Sequence, residues 1–171
     1  MFKKKGKLLM IALGFVIVPL VATNAQDEKL KAIFVYNFTR YLDWPQKSGN
    51  FVILVLGRSP IYAELADIAL KKKVGTQTIE VKTIMTAEEI TDCQIIYVTS
   101  SKSDLLPVII PKATGKNKLV ITEKDGACKN GAGINFINKD GKLSFEISKT
   151  NLANFGLVVS SSLFGLGTVV N

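Results

Sequence analysis

The chain begins with an apolar block that differs from everything after it. Leu8 to Ala22 is an apolar run of 15 residues, short for a membrane-spanning helix, which needs about 20. Four lysines precede this run, and the small residues Thr23-Asn24-Ala25 follow it. We interpret residues 1–25 as a cleavable secretory signal peptide with cleavage near Ala25. The alternative is an uncleaved N-terminal anchor.

Beyond this block, hydrophobic runs alternate with helical patterns. Continuous apolar runs predict three strands that are buried on both faces, at Phe51–Leu56, Gln94–Val98 and Leu119–Thr122. Apolar positions spaced three and four residues apart predict helices, at Asp27–Leu42, Pro60 to about Lys72, and Ser101 or Ser103 to near Pro111. Alternation over Thr78–Ile84 predicts a more exposed strand, and Thr86 and Glu89 fit a capping box.

The pattern changes in the last third of the chain. Two strands around Asp140-Gly141 predict a β-hairpin, and a short helix, an extended segment and a last helix follow at Lys149–Asn154, Leu157–Ser160 and Ser161–Val169. Strands that alternate with helices favour a mostly parallel sheet covered on both faces. We therefore predict one three-layer α/β domain over residues 26–171, with an antiparallel hairpin at one edge.

Composition excludes several classes of function. The formal charge of +8 falls to +4 once the four leader lysines are removed, so nucleic-acid binding is not expected. The cluster Lys71-Lys72-Lys73 fits a solvated helix end better than an anionic partner. Because the chain has no histidine, histidine-dependent nucleophiles and the usual zinc sites are excluded. We expect no metal, no cofactor and no enzymatic activity.

A carboxylate-based hydrolase stays open as an alternative. It would need several acids to converge in one cleft and to have perturbed pKa values. The candidates are Glu64, Asp67, Glu88, Glu89 and Asp92.

The loop Gly57-Arg58-Ser59 is a candidate ligand site, because it joins a buried strand to a helix. Ligands in open α/β sheets favour the carboxyl ends of strands, and an arginine beside a helix N-terminus suits an anion. An ordinary capped turn is the simpler interpretation. The glycine-rich segment from Gly126 to Gly133 lacks the lysine of a phosphate-binding loop and leads into a strand.

Cys93 and Cys128 are the only cysteines and form a candidate redox pair. Export favours oxidation, but Cys93 should precede its strand whereas Cys128 should lie beyond the end of the next one. A disulfide needs Cα atoms within about 7 Å, so this placement argues against a bond, although the loop could fold back.

Polar and aromatic residues cluster near the end of the first predicted helix. They are Tyr36, Asn37, Arg40, Asp43 and Trp44. Such sets occur at protein–protein contacts, and they also occur where a helix packs an aromatic face on a sheet. Both interpretations remain open.

The same region carries a family resemblance. Lys31–Pro45 (KAIFVYNFTRYLDWP) resembles the opening helix of the YfiR/HmsC-like periplasmic regulators. The resemblance continues through Phe51–Tyr62, Cys93–Val98, Gly133–Phe136, Gly141–Ile147 and Leu157–Ser161 with the following Leu163. No single motif is diagnostic, but their order and spacing agree over nearly the whole mature chain.

The resemblance implies a function that composition does not. Family members are exported, non-enzymatic regulators that act on the periplasmic domain of an inner-membrane sensor protein, either a cyclase or a kinase. The best-known arrangement represses a diguanylate cyclase, and thereby lowers cyclic di-GMP and biofilm formation. Members tend to form homodimers and often carry further cysteines in disulfides. This chain lacks obvious partners for Cys93 and Cys128. A periplasmic small-molecule-binding protein that uses the crevice near Arg58 and Ser59 is the alternative.

Overall fold

The computed structural model describes residues 22–170. The predicted signal peptide, residues 1–25, therefore lies outside the described residues, apart from the stretch at Ala22–Ala25 with which the first helix begins. No helix in the described part of the chain is both long and apolar enough to cross a membrane.

The core of the fold is an eight-stranded sheet. Its strands are β2 (Phe51–Leu56), β3 (Lys73–Val74), β4 (Gln77–Ile84), β5 (Ile95–Val98), β6 (Leu119–Thr122), β7 (Ile134–Lys139), β8 (Lys142–Ser148) and β10 (Thr168–Val170). Their order in the sheet is β10-β8-β7-β6-β5-β2-β4-β3. The strands from β4 to β7 pair in parallel, whereas β7 and β8 pair antiparallel. A second, two-stranded sheet joins β1 (Leu42–Asp43) to β9 (Val158–Val159).

Helices cover both faces of this sheet. They are α1 (Ala22–Phe38), α2 (Ile61–Lys71), α3 (Leu106–Ala113), α4 (Lys149–Asn154) and α5 (Ser161–Phe164). From β2 the chain passes through α2 to β4 on one side, and from β5 it passes through α3 to β6 on the other. Right-handed crossovers then place α2 and α3 on opposite faces. The predicted three-layer, mostly parallel α/β fold is confirmed.

The central strands are as buried as their sequences predict. All four residues of both β5 and β6 are buried, and so are five of the six residues of β2. In contrast, β4 mixes buried and exposed positions. The capping box at Thr86 and Glu89 is also present. Because helices cover both faces of these central strands, neither face is exposed to solvent. This explains why their sequences are continuously apolar.

The first helix ends earlier than the pattern predicts. Apolar spacing extends it to Leu42, but α1 stops at Phe38 and tighter turns carry the chain through Thr39 to Tyr41. The Thr39 hydroxyl donates to the carbonyl of Tyr36 at 2.6 Å. Leu42 then pairs with Val159 in the second sheet. Its apolar side chain is buried from a strand whose partner lies more than 100 residues away, and not from a helix face.

Two further predictions need correction at helix ends. Pro111 lies inside α3 and does not end it. Pro111 has no amide hydrogen to donate to the carbonyl of Pro107, four residues earlier in the first turn. The short helix therefore loses only one hydrogen bond. The predicted last helix is also wrong: α5 ends at Phe164, and Thr168–Val170 form β10, which pairs with β8.

The hairpin forms as predicted. Asp140 and Gly141 both have positive φ, at 53° and 76°, as a two-residue type I′ turn requires. However, the hairpin is not the outermost part of the sheet, because β10 lies beyond β8. The close approach at Gly167 permits this: a Cβ there would lie 2.5 Å from the ring of Phe145.

Candidate functional site

A crevice of about 560 Å³ opens at the carboxyl ends of the parallel strands. In the strand order β2 and β5 are neighbours, and the crossover from β2 runs to β4 on one side of this pair whereas the crossover from β5 runs to β6 on the other. Such a reversal point is where ligands bind in open α/β sheets. The loops after β2, β5 and β6 line the crevice, and α1 and the β7–β8 hairpin contribute further residues.

Glu123 organises the floor of this crevice. It follows the last residue of β6, and its carboxylate accepts hydrogen bonds from Lys31 Nζ at 2.8 Å, Tyr97 Oη at 2.7 Å and the Ser100 amide at 3.0 Å. Burial, together with the nearby Glu123, raises the pKa of Tyr97 far above its ordinary value, so this phenol is a permanent donor. One carboxylate therefore links α1, β5 and β6.

Lys31 lies between two carboxylates. Its Nζ is 2.7 Å from Glu28 Oε1 and 2.8 Å from Glu123 Oε2, and the three side chains are each largely buried. Burial by itself would lower the pKa of Lys31, but the hydrogen bonds to Glu123 and Glu28 outweigh it and raise the pKa above 10.5. The other oxygen of Glu28, Oε2, is buried and has no partner within the described residues.

The predicted ligand loop does line the crevice, through Arg58 and Ser59. Gly57 lies beneath it with φ 98°, and a Cβ there would lie 2.4 Å from the Thr99 hydroxyl. Ser59 Oγ accepts from the amide of Ile61, the first residue of α2, at 3.3 Å. Arg58 is exposed and makes no side-chain hydrogen bond or ion pair within residues 22–170.

The sequence predicted the part of the crevice formed by Arg58 and Ser59, but not the charged cluster opposite. Lys31, Glu28 and Glu123 were not among the candidate residues. Glu123 did carry a signal, because it directly follows a predicted buried strand, at the edge where ligands bind. Glu28 carried none, and Lys31 carried one only as the first residue of the family-like segment Lys31–Pro45, because the packing of α1 alone brings both residues to the crevice.

The candidate partner surface is brought together only in part. Arg40 and Asp43 are exposed, while Tyr36 and Asn37 are half-buried. Trp44 needs correction: it is 3% exposed, packs edge-on against Phe51 at 5.1 Å, and donates from Nε1 to the carbonyl of Thr39 at 3.0 Å. Trp44 is therefore a core residue and presents no surface to a partner.

The two cysteines are separate, buried thiols. Cys93 precedes β5 and lies 3.9 Å from Lys118 Nζ. Cys128 lies in a single turn over Ala127–Asn130, where its carbonyl accepts from the Asn151 side chain at 2.7 Å. In this structure the pair forms no disulfide, which agrees with the placement expected from the strand order.

Thiol titration checks this arrangement. We expect the purified protein to react slowly with a thiol reagent when folded and to yield two thiols per chain in denaturant, because both sulfurs are buried. A yield of two only after reduction would show that a disulfide forms and would contradict the structure.

Because the two thiols are buried, we also expect the folded protein to lose stability at alkaline pH. Burial raises the pKa of Cys93 from 9.0 to about 11, and burial together with Glu146 raises that of Cys128 to about 12. Between pH 9 and 11 the unfolded chain loses these protons while the folded protein keeps them, so stability falls as pH rises. The expected loss is about 1.4 kcal/mol for each thiol at pH 10.

Denaturant titrations from pH 7 to pH 10.5 measure this loss. The double variant Cys93→Ala/Cys128→Ala should show a shallower decline than the wild type over the same range. Equal slopes for the two proteins would show that the thiols do not contribute.

The acids suggested for a hydrolase do not converge in a cleft. Glu64 and Asp67 lie on α2, whereas Glu88, Glu89 and Asp92 lie in the segment between β4 and β5. All except Glu64, which is half-buried, are exposed. In residues 22–170, no group of three or more Asp, Glu, His or Cys is arranged to hold a metal ion.

The comparison with protein families decides the assignment. The sequence model of the YfiR/HmsC-like family matches residues 28–168, which is most of the described chain. This protein belongs to the YfiR/HmsC-like family. The family is a regulatory one of the periplasm, with a role in cyclic di-GMP signalling. The match includes α1 from Glu28 onward and every strand of the crevice.

A solved structure shares the fold of this family member. It is the ABC domain in complex with L-Trp from Streptococcus pneumonia, with a TM-score of 0.56 and 10% sequence identity. The match covers 84% of this chain and 60% of that one, so this chain spans little more than half of its length. At this identity the likeness establishes the α/β fold alone. No curated protein matches the sequence.

Proposed function

We propose that this protein is exported to the periplasm, where it binds and represses the periplasmic domain of an inner-membrane signalling protein of the diguanylate-cyclase type. The family match over residues 28–168 carries the proposal. The lysine-led apolar block before Ala25 supports export, with cleavage near that residue. The absence of histidine and the scatter of the candidate acids support a role in binding, not catalysis.

The outer face of α1 is the surface that we propose for the partner. Leu30 and Ile33 are large apolar residues that are 38% and 39% exposed. Asn37 continues the same stripe four residues later, and the exposed Arg40 follows in the turn after α1. Apolar residues beside an arginine are typical of the centre of a protein interface.

A capture experiment tests both the partner and the surface. Tagged protein purified from the periplasm is incubated with solubilised inner membranes, and the retained proteins are identified by mass spectrometry. We expect a membrane protein with a periplasmic domain and a cyclase domain. Ile33→Asp and Arg40→Glu should each lower its retention at least about tenfold, which corresponds to roughly 1.4 kcal/mol.

Leu70→Asp is the matched control. Leu70 is 87% exposed on α2, so the change introduces the same charge on a helix that the proposal does not use. Equal retention by Ile33→Asp, Arg40→Glu and Leu70→Asp would exclude the α1 surface. Retention of no signalling protein by the wild type would exclude the proposed partner.

Repression of a diguanylate cyclase also predicts a result in cells. Deleting the gene should raise cyclic di-GMP and biofilm formation, and the wild-type gene should restore both. The Arg40→Glu gene should fail to restore them although its product accumulates normally.

We include a homodimer in the proposal, and light scattering on the purified protein measures its mass.

A small-molecule-binding protein is the second candidate, and the crevice is the observation that favours it. The fold neighbour was solved with L-Trp bound, which shows that a related fold holds a small molecule. Under this alternative, a ligand would raise the melting temperature, Arg58→Ala would abolish that rise, and the capture experiment would retain no signalling protein.

A further inference from the structure

The two edges of the main sheet differ in how they are protected. The outermost strand at one edge is β3, and the segment Lys71-Lys72-Lys73 that leads into it is exposed and charged. The Lys73 carbonyl also accepts a hydrogen bond from Tyr36 Oη at 3.3 Å. Lysines on an edge strand are one of the devices that prevent sheets from pairing edge to edge. The β3 edge is therefore protected against a further strand.

The opposite edge, formed by β10, lacks these devices. Within residues 22–170, β10 pairs with β8 alone, so the backbone groups on its outer side are left for another strand. From Thr150 to Asn171 the sequence contains no charged residue and no proline. Leu166 and Val169 are 53% and 39% exposed at this edge. Apart from its short length of three residues, β10 is therefore open to strand addition.

Two charged residues next to this edge are engaged within their own chain. Lys149 Nζ lies 4.5 Å from the centroid of the Phe164 ring. Glu146 is opposite Thr168 in the register of β8 and β10, is half-buried, and accepts from the Asn135 side chain at 3.1 Å. Neither residue supplies a free charge that would select a partner of the opposite sign.

The charge distribution favours a second copy of this chain as the occupant. Residues 26–171 have a formal charge of +4, so two copies repel each other over much of their surface. The uncharged segment at the β10 edge is a place where two such copies meet without that repulsion. A charged partner would gain nothing from this segment, whereas an identical uncharged edge is complementary to it.

We propose that two copies of this chain pair through β10, antiparallel about a twofold axis, and thereby join their main sheets into one. An antiparallel pair of identical strands satisfies the outer backbone groups of both copies at once. The edges of the joined sheet are then the two β3 strands with their lysines, so growth stops at the dimer. This interface deepens the homodimer of the proposed function and rests on it, but it does not depend on the signalling partner.

Sedimentation velocity over a range of concentrations, on protein purified from the periplasm, tests this interface. We expect the wild type to form a dimer. Val169→Lys should weaken this dimer at least about tenfold, because the middle of β10 lies near the axis and the two new charges face each other. Val108→Lys is the matched control. Because Val108 is 48% exposed on α3, the same change there should leave the dimer intact.

A charge-swap experiment separates loss of pairing from loss of fold. Val169→Glu should also be monomeric by itself, whereas a mixture of Val169→Lys and Val169→Glu should form a heterodimer, because opposite charges then meet. The same two substitutions at the exposed Thr168 repeat the test at a second position of the strand. If variants that are folded by circular dichroism fail to form the heterodimer in both mixtures, the proposal is wrong.

The remaining outcomes separate this interface from the proposed function. A wild type that is monomeric at every concentration, or a dimer that Val169→Lys leaves intact, would overturn the proposal. A monomeric wild type whose capture of the signalling protein is lost in Val169→Lys would assign the edge to that protein instead. A β10 dimer without a captured signalling protein would keep this interface and remove the proposed partner, and a captured partner with a monomeric wild type would do the reverse.

Discussion

Replacing Trp44 with alanine is expected to lower the free energy of unfolding by about 3–5 kcal/mol. The indole is 3% exposed and packs edge-on against Phe51, the first residue of β2. Its Nε1 also fixes the turn after α1 by donating to the Thr39 carbonyl. The variant therefore loses core packing and the hydrogen bond that sets the path from α1 into β1.

Chemical denaturation followed by circular dichroism measures this loss, because Trp44 is the only tryptophan and the variant lacks its fluorescence. Leu70→Ala is the control. Because Leu70 is 87% exposed, the stability of this variant should match that of the wild type. Trp44→Phe keeps an aromatic ring against Phe51 and loses the donor, so it should fall between the two. Equal stability of Trp44→Ala and Leu70→Ala would show that the indole does not hold the core.

Glu123→Ala is expected to cause a comparable loss, about 3–5 kcal/mol. The change removes one of the two carboxylates that hold Lys31, and it leaves the hydroxyl of the fully buried Tyr97 without its acceptor. An unpartnered polar group in the core has a desolvation cost that nothing offsets. Glu123→Ala should also separate the N-terminal half of α1 from the sheet edge.

A double variant distinguishes the orphaned hydroxyl from a general loss of fold. Tyr97→Phe removes that hydroxyl, so Glu123→Ala/Tyr97→Phe should be less destabilised than the two single losses added together. Lys47→Ala is the matched control, because it breaks the Lys47–Asp43 ion pair, which is 2.7 Å long and exposed. That variant should be as stable as the wild type. Strict additivity in the double variant would contradict the role given to Tyr97.

Most of the sheet could be predicted because its signals are local. The strands β2, β5 and β6 have no polar face, and the turn at Asp140-Gly141 needs positive φ at two successive residues. The helix α2 begins directly after Ser59-Pro60, where the Ser59 hydroxyl accepts from the Ile61 amide. Each of these features depends on residues next to one another in the chain, so the pattern alone indicates them.

Most of the errors, though not the one at Pro111, share one cause, which is pairing between distant segments. Leu42 leaves the helical pattern because it pairs with Val159, and Val169 leaves it because it pairs with Ile147. Trp44 belongs to the core because β2 begins beside it. Local periodicity reports that such residues are apolar, but it does not report which element buries them.

The sequence by itself determined the fold class, the family and the absence of histidine chemistry, since these follow from composition, periodicity and motif order. Only the tertiary structure decided where the charges meet. Glu28 and Lys31 on α1 and Glu123 after β6 are more than 90 positions apart at their widest, yet Lys31 contacts both acids within 2.8 Å. Their meeting depends on how α1 packs against the sheet, and no local pattern encodes that packing.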